Sequence, residues 1–143
     1  MNCLACDRIE QIKQNKNPRF IVELSQSYVV LGDEQFYRGW CVLLFKQHHE
    51  QLPQLPVDQQ RELWNDVAAV AGAVYRELKP VRINYECLGN QLHHIHWHII
   101  PRFADDPDST QPVWLRPAPN RRGSLSAADE KKLIAQLSSA IQG

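Results

Sequence analysis

Between Leu92 and Arg102 the chain reads Leu-His-His-Ile-His-Trp-His-Ile-Ile-Pro-Arg, and four of its six histidines fall in that run. His94, His96 and His98 recur at every second position, with Ile95, Trp97 and Ile99 between them. A repeat of two is the period of a β-strand, whose successive side chains point to opposite faces. The apolar set then faces a core and the three imidazoles line the other side. Same-face neighbours on a strand stand about 6.5 Å apart, close enough for several rings to surround one phosphate or to divide between two adjacent sites. The β-branched and aromatic residues support a strand over 92–100. His93 has the opposite parity and is expected to point with Ile95 and Trp97 as a structural residue. A lone histidine is usually a half-buried ring with one partner. Three in register are costly to bury unpaired, so they mark a candidate functional site.

The rest of the chain supplies a small domain to hold that strand. Its 143 residues suit one core, with residues 1–143 forming a single domain. Residues 1–7 carry Cys3 and Cys6 as a candidate metal knuckle, and the polar run that follows holds Ile9 and Ile12. Phe20–Leu24 and Tyr28–Leu31 read as strands joined by Ser25-Gln26-Ser27, and Gly39 precedes a third over Trp40–Phe45. From Val57 to Leu78, apolar residues including Leu63, Trp64, Val67, Val70, Ala71 and Val74 recur at helical steps, and Pro80 closes the segment. Arg82–Cys87 reads as a strand, and the short Leu88-Gly89-Asn90 connection favours antiparallel pairing with the histidine strand. Residues 104–123 are proline-rich loop, and Ser126 with Asp129 opens a last helix whose apolar face is Leu133, Ile134, Leu137 and Ile141. The sum is an α+β domain, a largely antiparallel sheet against one long helix, with a C-terminal helix.

Charge and cysteine content narrow the function classes. Lysine plus arginine balances aspartate plus glutamate at 16 each, so the basic footprint of a nucleic-acid binder is missing and no nucleic acid partner is expected. A small anionic ligand needs only a local field. Without a transmembrane run or a secretion signal, a cytoplasmic location and no membrane partner are expected. Cys41 and Cys87 fall in apolar strand segments and read as small buried hydrophobes.

The run His94-Ile95-His96-Trp97-His98-Ile99-Ile100 resembles the signature of the histidine-triad (HIT) family, in which histidines alternate with hydrophobic residues on one strand. Pro101-Arg102, Gly89 upstream, and Gly39 through His48 extend the resemblance over about residues 3–103. It implies the family's five-stranded antiparallel sheet with helices. In detail it is similar to the bacterial branch related to dinucleoside polyphosphate (diadenosine tetraphosphate) hydrolases. By that resemblance His96 is the nucleophile that attacks an α-phosphorus. His98 lends its backbone carbonyl to orient the His96 ring and its side chain to phosphate. Gly89, Asn90 and Gln91 hydrogen-bond phosphate and leaving group. The resemblance also implies a homodimer. The chain departs from many relatives at Trp40, where they carry histidine, and at Asn90, where they carry glutamine. Trp40 is expected either to pack in the core or to stack on a base.

Cys3-x2-Cys6 has metal-ligand spacing but needs two more donors. The resemblance to zinc-containing relatives supplies His48 and His94, with His49 the chief rival to His48. A structural Zn²⁺ on Cys3, Cys6, His48 and His94 pairs two thiolates with two imidazoles. No organic cofactor is expected, and Mg²⁺ only with the substrate. A zinc-finger module fits poorly, because over forty residues separate Cys6 from His48 and no basic helix follows. A catalytic metal on the three triad histidines would leave the cysteines unexplained. The expected activity is a nucleotidyl hydrolase or transferase. The alternatives are a nucleoside phosphoramidase, a dinucleoside polyphosphate phosphorylase, and a regulatory nucleotide-binding protein with little turnover.

Overall fold

The computed structural model describes residues 2–123 and 125–143. Five strands, β1 (Phe20–Glu23), β2 (Ser27–Leu31), β3 (Cys41–Phe45), β4 (Arg82–Glu86) and β5 (His96–Arg102), form one antiparallel sheet in the order β1-β2-β3-β5-β4. Helix α1 spans Leu4–Lys13, α2 Val57–Leu78 and α3 Ala127–Gln142. The α+β architecture is the one expected from the sequence. Among the described residues no helix is long and apolar enough to cross a membrane.

The sheet has two differently used faces. Cys41, Leu43 and Ile99 point to α2 and α3, where they pack with Val67, Val70, Val74, Leu133 and Leu137. Tyr28, Val30 and Leu44 point the other way, onto Ala5, Ile9 and Ile12 of α1. In β3 and β5, Val42 pairs with His98 and Leu44 with His96, so the histidines share the face that α1 covers. Helix α1 is the element that the sequence did not announce: only Ile9 and Ile12 mark its apolar side, and the cysteine pair straddles its start rather than forming a separate knuckle. Met1 of that expected knuckle lies outside the described residues.

Helix α2 begins and ends where its periodicity does, with Lys79 in the left-handed conformation (φ 50°) before Pro80. Two of its apolar residues are not core: Val57 is 58% and Trp64 55% exposed, and Trp64 lies edge-on to Trp97. Asp66 is buried on α2 and accepts from Ser27 Oγ and Gln26 N, both at 2.8 Å, which ties the helix to the β1–β2 turn. Helix α3 starts as read: Ser126 Oγ accepts from Asp129 N at 3.1 Å. Gly39 carries φ +94°, and a Cβ there would lie 2.2 Å from Leu78 Cδ1. A side chain at this entry to β3 would therefore collide with the end of α2.

The histidine strand is shifted from its expected span. β5 begins at His96 and runs to Arg102, while His94 and Ile95 lie before it. Ile95 is held by a different set of bonds, donating N–H to His49 O at 2.8 Å while its carbonyl accepts from Phe45 N at 3.1 Å. His93 is exposed in the preceding turn rather than on the apolar face, its Nε2 3.3 Å from Asn90 O. Cys87 is exposed, not buried, because it lies just past the end of β4.

Candidate functional site

His96 is only 8% exposed, and its Nδ1 lies 2.6 Å from the carbonyl of His94. A carbonyl only accepts, so Nδ1 carries a proton, and in the neutral tautomer that this selects Nε2 keeps its lone pair. The orienting carbonyl is thus that of His94, two residues upstream, and not that of His98 as the resemblance implied. His98 sits within both ladders of β5, opposite Val42 and Glu86, whereas His94 precedes the strand and turns its carbonyl to the ring. His98 stands edge-on to His96 with centroids 5.1 Å apart. Burial, and secondarily the neighbouring His96, pushes the pKa of His98 down to about 4, so its ring is neutral near pH 7.

A small cleft, open at its mouth, lies over this pair and is lined by Leu4, Ala5, Arg8, Asp33, Trp40, Val42, Leu92, His96, His98 and Trp114 among others. Its walls are apolar side chains with a few charged groups at the rim, the composition of a small-molecule site. Arg8, Asp33 and Trp114 carried no sequence signal for this role. Arg8 and Asp33 are joined by an ion pair, their shortest contact 2.5 Å. Trp114 comes from the loop after β5, where Arg102 anchors it. That side chain is nearly buried and donates to Asp106 Oδ2 (2.5 Å), Asn84 Oδ1 (2.9 Å), Gln111 O (2.8 Å) and Asp108 O (2.6 Å). Two short 3₁₀ turns, Val113–Leu115 and Ala118–Arg121, complete the loop, and Trp114 Nε1 donates to Glu86 Oε2 at 3.0 Å.

Gly89, Asn90 and Gln91 are not in that cleft. Gly89 (φ +73°) borders a second depression that His96 also lines, with His94, Ile95, Glu50 and Leu52. Gln91 borders a third with Asn2, Cys3 and His48, and Asn90 is exposed. Trp40 is 3% exposed and packs with Tyr37, Ile100 and Val113. The core alternative therefore describes it, with one edge reaching the cleft.

Beside the cleft, Cys3, Cys6, His48 and His94 bring one donor atom each to within 4.8 Å of one another. Cys3 is the residue that caps α1 and Cys6 lies in its first turn. Cys3 Sγ is 3.5 Å from His94 Nδ1, Cys6 Sγ 3.5 Å from His48 Nδ1 and 3.6 Å from His94 Nδ1, and the two Nδ1 atoms are 3.2 Å apart. His94 is 1% exposed, and its Nε2 donates to Phe45 O at 2.7 Å, which turns the Nδ1 lone pair toward the thiols. Four such donors can hold a metal ion. His48, not His49, joins the group; His49 packs its ring near Phe45.

A sequence profile described as "HIT domain" matches residues 13–105. A search of curated protein sequences finds no significant relative. Among solved structures, the chain is similar to a histidine triad protein from Bradyrhizobium japonicum, with TM-score 0.77 and 25% identity over 85% of this chain and 89% of that one. A histidine triad protein from Marinobacter aquaeolei gives TM-score 0.75 and 21% identity over 86% and 88% of the two chains. A Zn-bound histidine triad family protein from Mycobacterium smegmatis gives TM-score 0.71 and 21% identity over 97% and 95%.

Proposed function

The chain belongs to the HIT family, an enzyme family of nucleotidyl hydrolases and transferases, and from that premise we propose that it cleaves dinucleoside polyphosphates through a nucleotidyl-histidine on His96. The observation that carries the reading is the 2.6 Å bond from His96 Nδ1 to the His94 carbonyl, which leaves Nε2 as a free nucleophile at the floor of the cleft. Nε2 attacks the α-phosphorus, the P–N bond forms as the bridging P–O bond breaks, and the leaving phosphate takes the electron pair. Water then attacks the same phosphorus, the P–N bond breaks with its electron pair returning to Nε2, and the water's proton is lost to solvent, which releases a nucleoside monophosphate and neutral His96. His98 hydrogen-bonds a phosphate oxygen. Gly89, Asn90 and Gln91 serve the leaving-group side, a role supported for Gly89 by the depression it shares with His96. Donors placed around the equatorial oxygens stabilise the transition state mainly by electrostatics.

The four-residue cluster is proposed to hold a structural Zn²⁺. With Zn–N near 2.0–2.1 Å and Zn–S near 2.3 Å, a tetrahedral site has N···N edges of about 3.3 Å and N···S edges of about 3.6 Å. The observed separations of 3.2 Å between the nitrogens and 3.5–3.6 Å from nitrogen to sulfur fit that donor set. Cys3, Cys6, His48 and His94 would hold the ion, which would supply a cross-link between α1 and the sheet, outside every step at His96. A homodimer is supported by the family and by an apolar hollow of Trp64, Val67, Ala71, Tyr75 and Tyr85 beside β4, an edge strand. A monomer mass by light scattering would remove it.

His96→Ala is expected to abolish turnover while leaving fold and most ground-state nucleotide affinity intact, since the lost interaction belongs to the transition state. Wild-type enzyme quenched during turnover should carry one nucleotidyl group on His96 by peptide mass spectrometry. Near-wild-type turnover by His96→Ala sinks the mechanism. A panel of dinucleoside tri- and tetraphosphates against nucleoside phosphoramidates tests the substrate, and faster turnover of phosphoramidates would favour the phosphoramidase reading.

A further inference from the structure

The two imidazoles of the cleft are both held at Nδ1, by opposite kinds of partner. His96 gives its Nδ1 proton to a carbonyl. His98 Nδ1 lies 3.1 Å from Trp40 Nε1, and an indole nitrogen only donates, so His98 Nδ1 is the acceptor and the proton of the neutral ring sits on Nε2. We propose that Trp40 is a positioning residue whose indole N–H locks His98 as an Nε2–H donor beside the free Nε2 lone pair of His96. The cleft then offers a phosphate one nucleophile and one neutral donor, from two rings of the same residue type. The catalytic consequence rests on the nucleotidyl-transfer reading above; the tautomer does not.

Trp40 is placed too firmly for its nearness to His98 to be a passing contact. Its carbonyl accepts from Gly32 N at 2.8 Å and from Gln35 Nε2 at 3.0 Å, and Tyr37 packs on its ring at 6.3 Å. Trp114 closes the other side, edge-on to Trp40 at 5.4 Å and to His98 at 5.2 Å. A caged indole cannot swing out to stack on a base, so what it contributes to the site is its N–H. His98 at a pKa of about 4 has no second ring proton to offer near neutrality, so whichever nitrogen keeps the single proton decides what the ring can do. Were Nδ1 protonated, Nε2 would be a second acceptor facing phosphate oxygens and would repel them.

Long-range ¹H–¹⁵N spectra of the uniformly ¹⁵N-labelled full chain at neutral pH read the tautomer directly. The expected result is an unprotonated Nδ1 and a protonated Nε2 at His98, with a scalar coupling across the N–H···N bond from Trp40 Nε1. In Trp40→Phe, which keeps an aromatic ring and removes the N–H, the His98 nitrogens should move toward a tautomer mixture. kcat for a dinucleoside tetraphosphate should fall about 3- to 10-fold with KM nearly unchanged, the range of one neutral hydrogen bond. A protonated Nδ1 at His98 in the wild type overturns the proposal, as do unchanged ring shifts or an unchanged kcat in the variant. If Trp40→Phe does not fold, the wild-type coupling and shifts decide it alone. Wild-type spectra as expected with no requirement for His96 in turnover would overturn the nucleotidyl-transfer reading and leave the tautomer standing.

Discussion

Helix α1 and the loop after β5 are both fastened to the sheet beside the cleft, but by different physics. Helix α1 is fixed by donor atoms of Cys3, Cys6, His48 and His94 converging on one point. The loop after β5 is fixed by one side chain radiating outward: Arg102 reaches four acceptors between Asn84 and Gln111, while its guanidinium lies 4.9 Å from the Tyr37 ring centroid. A convergent knot depends on what occupies its centre and fails all at once when that is removed. A radiating staple carries its own charge and fails only when its root is cut. With the proposed Zn²⁺ at its centre, the first segment would be open to chemical control from solution, and the second would not.

The sharpest way to break the contrast is to cut the staple. Arg102→Met should cost about 3–5 kcal/mol, because it leaves the nearly buried carboxylate of Asp106 without its cation. Denaturant titration checks it, and a loss below 1 kcal/mol would mean the network is replaced by water. Removing the proposed Zn²⁺ comes next. Chelation, or Cys3→Ser, should lower stability by about 2.7 kcal/mol where free Zn²⁺ had exceeded its Kd a hundredfold. Hydrogen exchange should quicken in α1 and hardly at all in α2 or β3, and uniform quickening would show that the knot supports the whole core. Arg121→Lys should be smallest, about 1 kcal/mol. It loses the paired contact of the guanidinium with Glu34 and the packing of that group over Trp114 at 5.3 Å. Its expected signature is a more solvent-exposed Trp114 fluorescence with unchanged metal content.

The contrast also tells which parts of the molecule were legible from sequence. Helix α2 was legible at both ends because its period is long and Pro80 stops it, and the triad because alternation on a strand leaves few other uses for three histidines. Helix α1 was not, since ten residues with Ile9 and Ile12 on one side give little periodic signal. The choice of His48 over His49 depends on where a turn after β3 aims two adjacent rings, which spacing does not encode. The loop of Trp114 was illegible for a different reason. Its order comes from Arg102, which sequence alone places just past the strand expected over 92–100, with none of its partners in view. Trp40 was legible as an anomaly, and its meaning came only with the 3.1 Å contact to His98.

Residue 94 is asked for three things. Its Nδ1 faces the thiols, its Nε2 donates to Phe45 O, and its main-chain oxygen holds the His96 ring. The first two belong to an imidazole, and the third belongs to any amino acid. In the history of such sequences the two demands can therefore part company. A lineage that replaces His94, Cys3 and Cys6 gives up the knot at the N-terminus yet inherits the carbonyl that holds the His96 ring. A lineage that changes the path of the backbone here loses the aim with every ligand still in place. Substitution can thus remove the ligand set one codon at a time, whereas the orientation of the His96 ring goes with the shape of the chain.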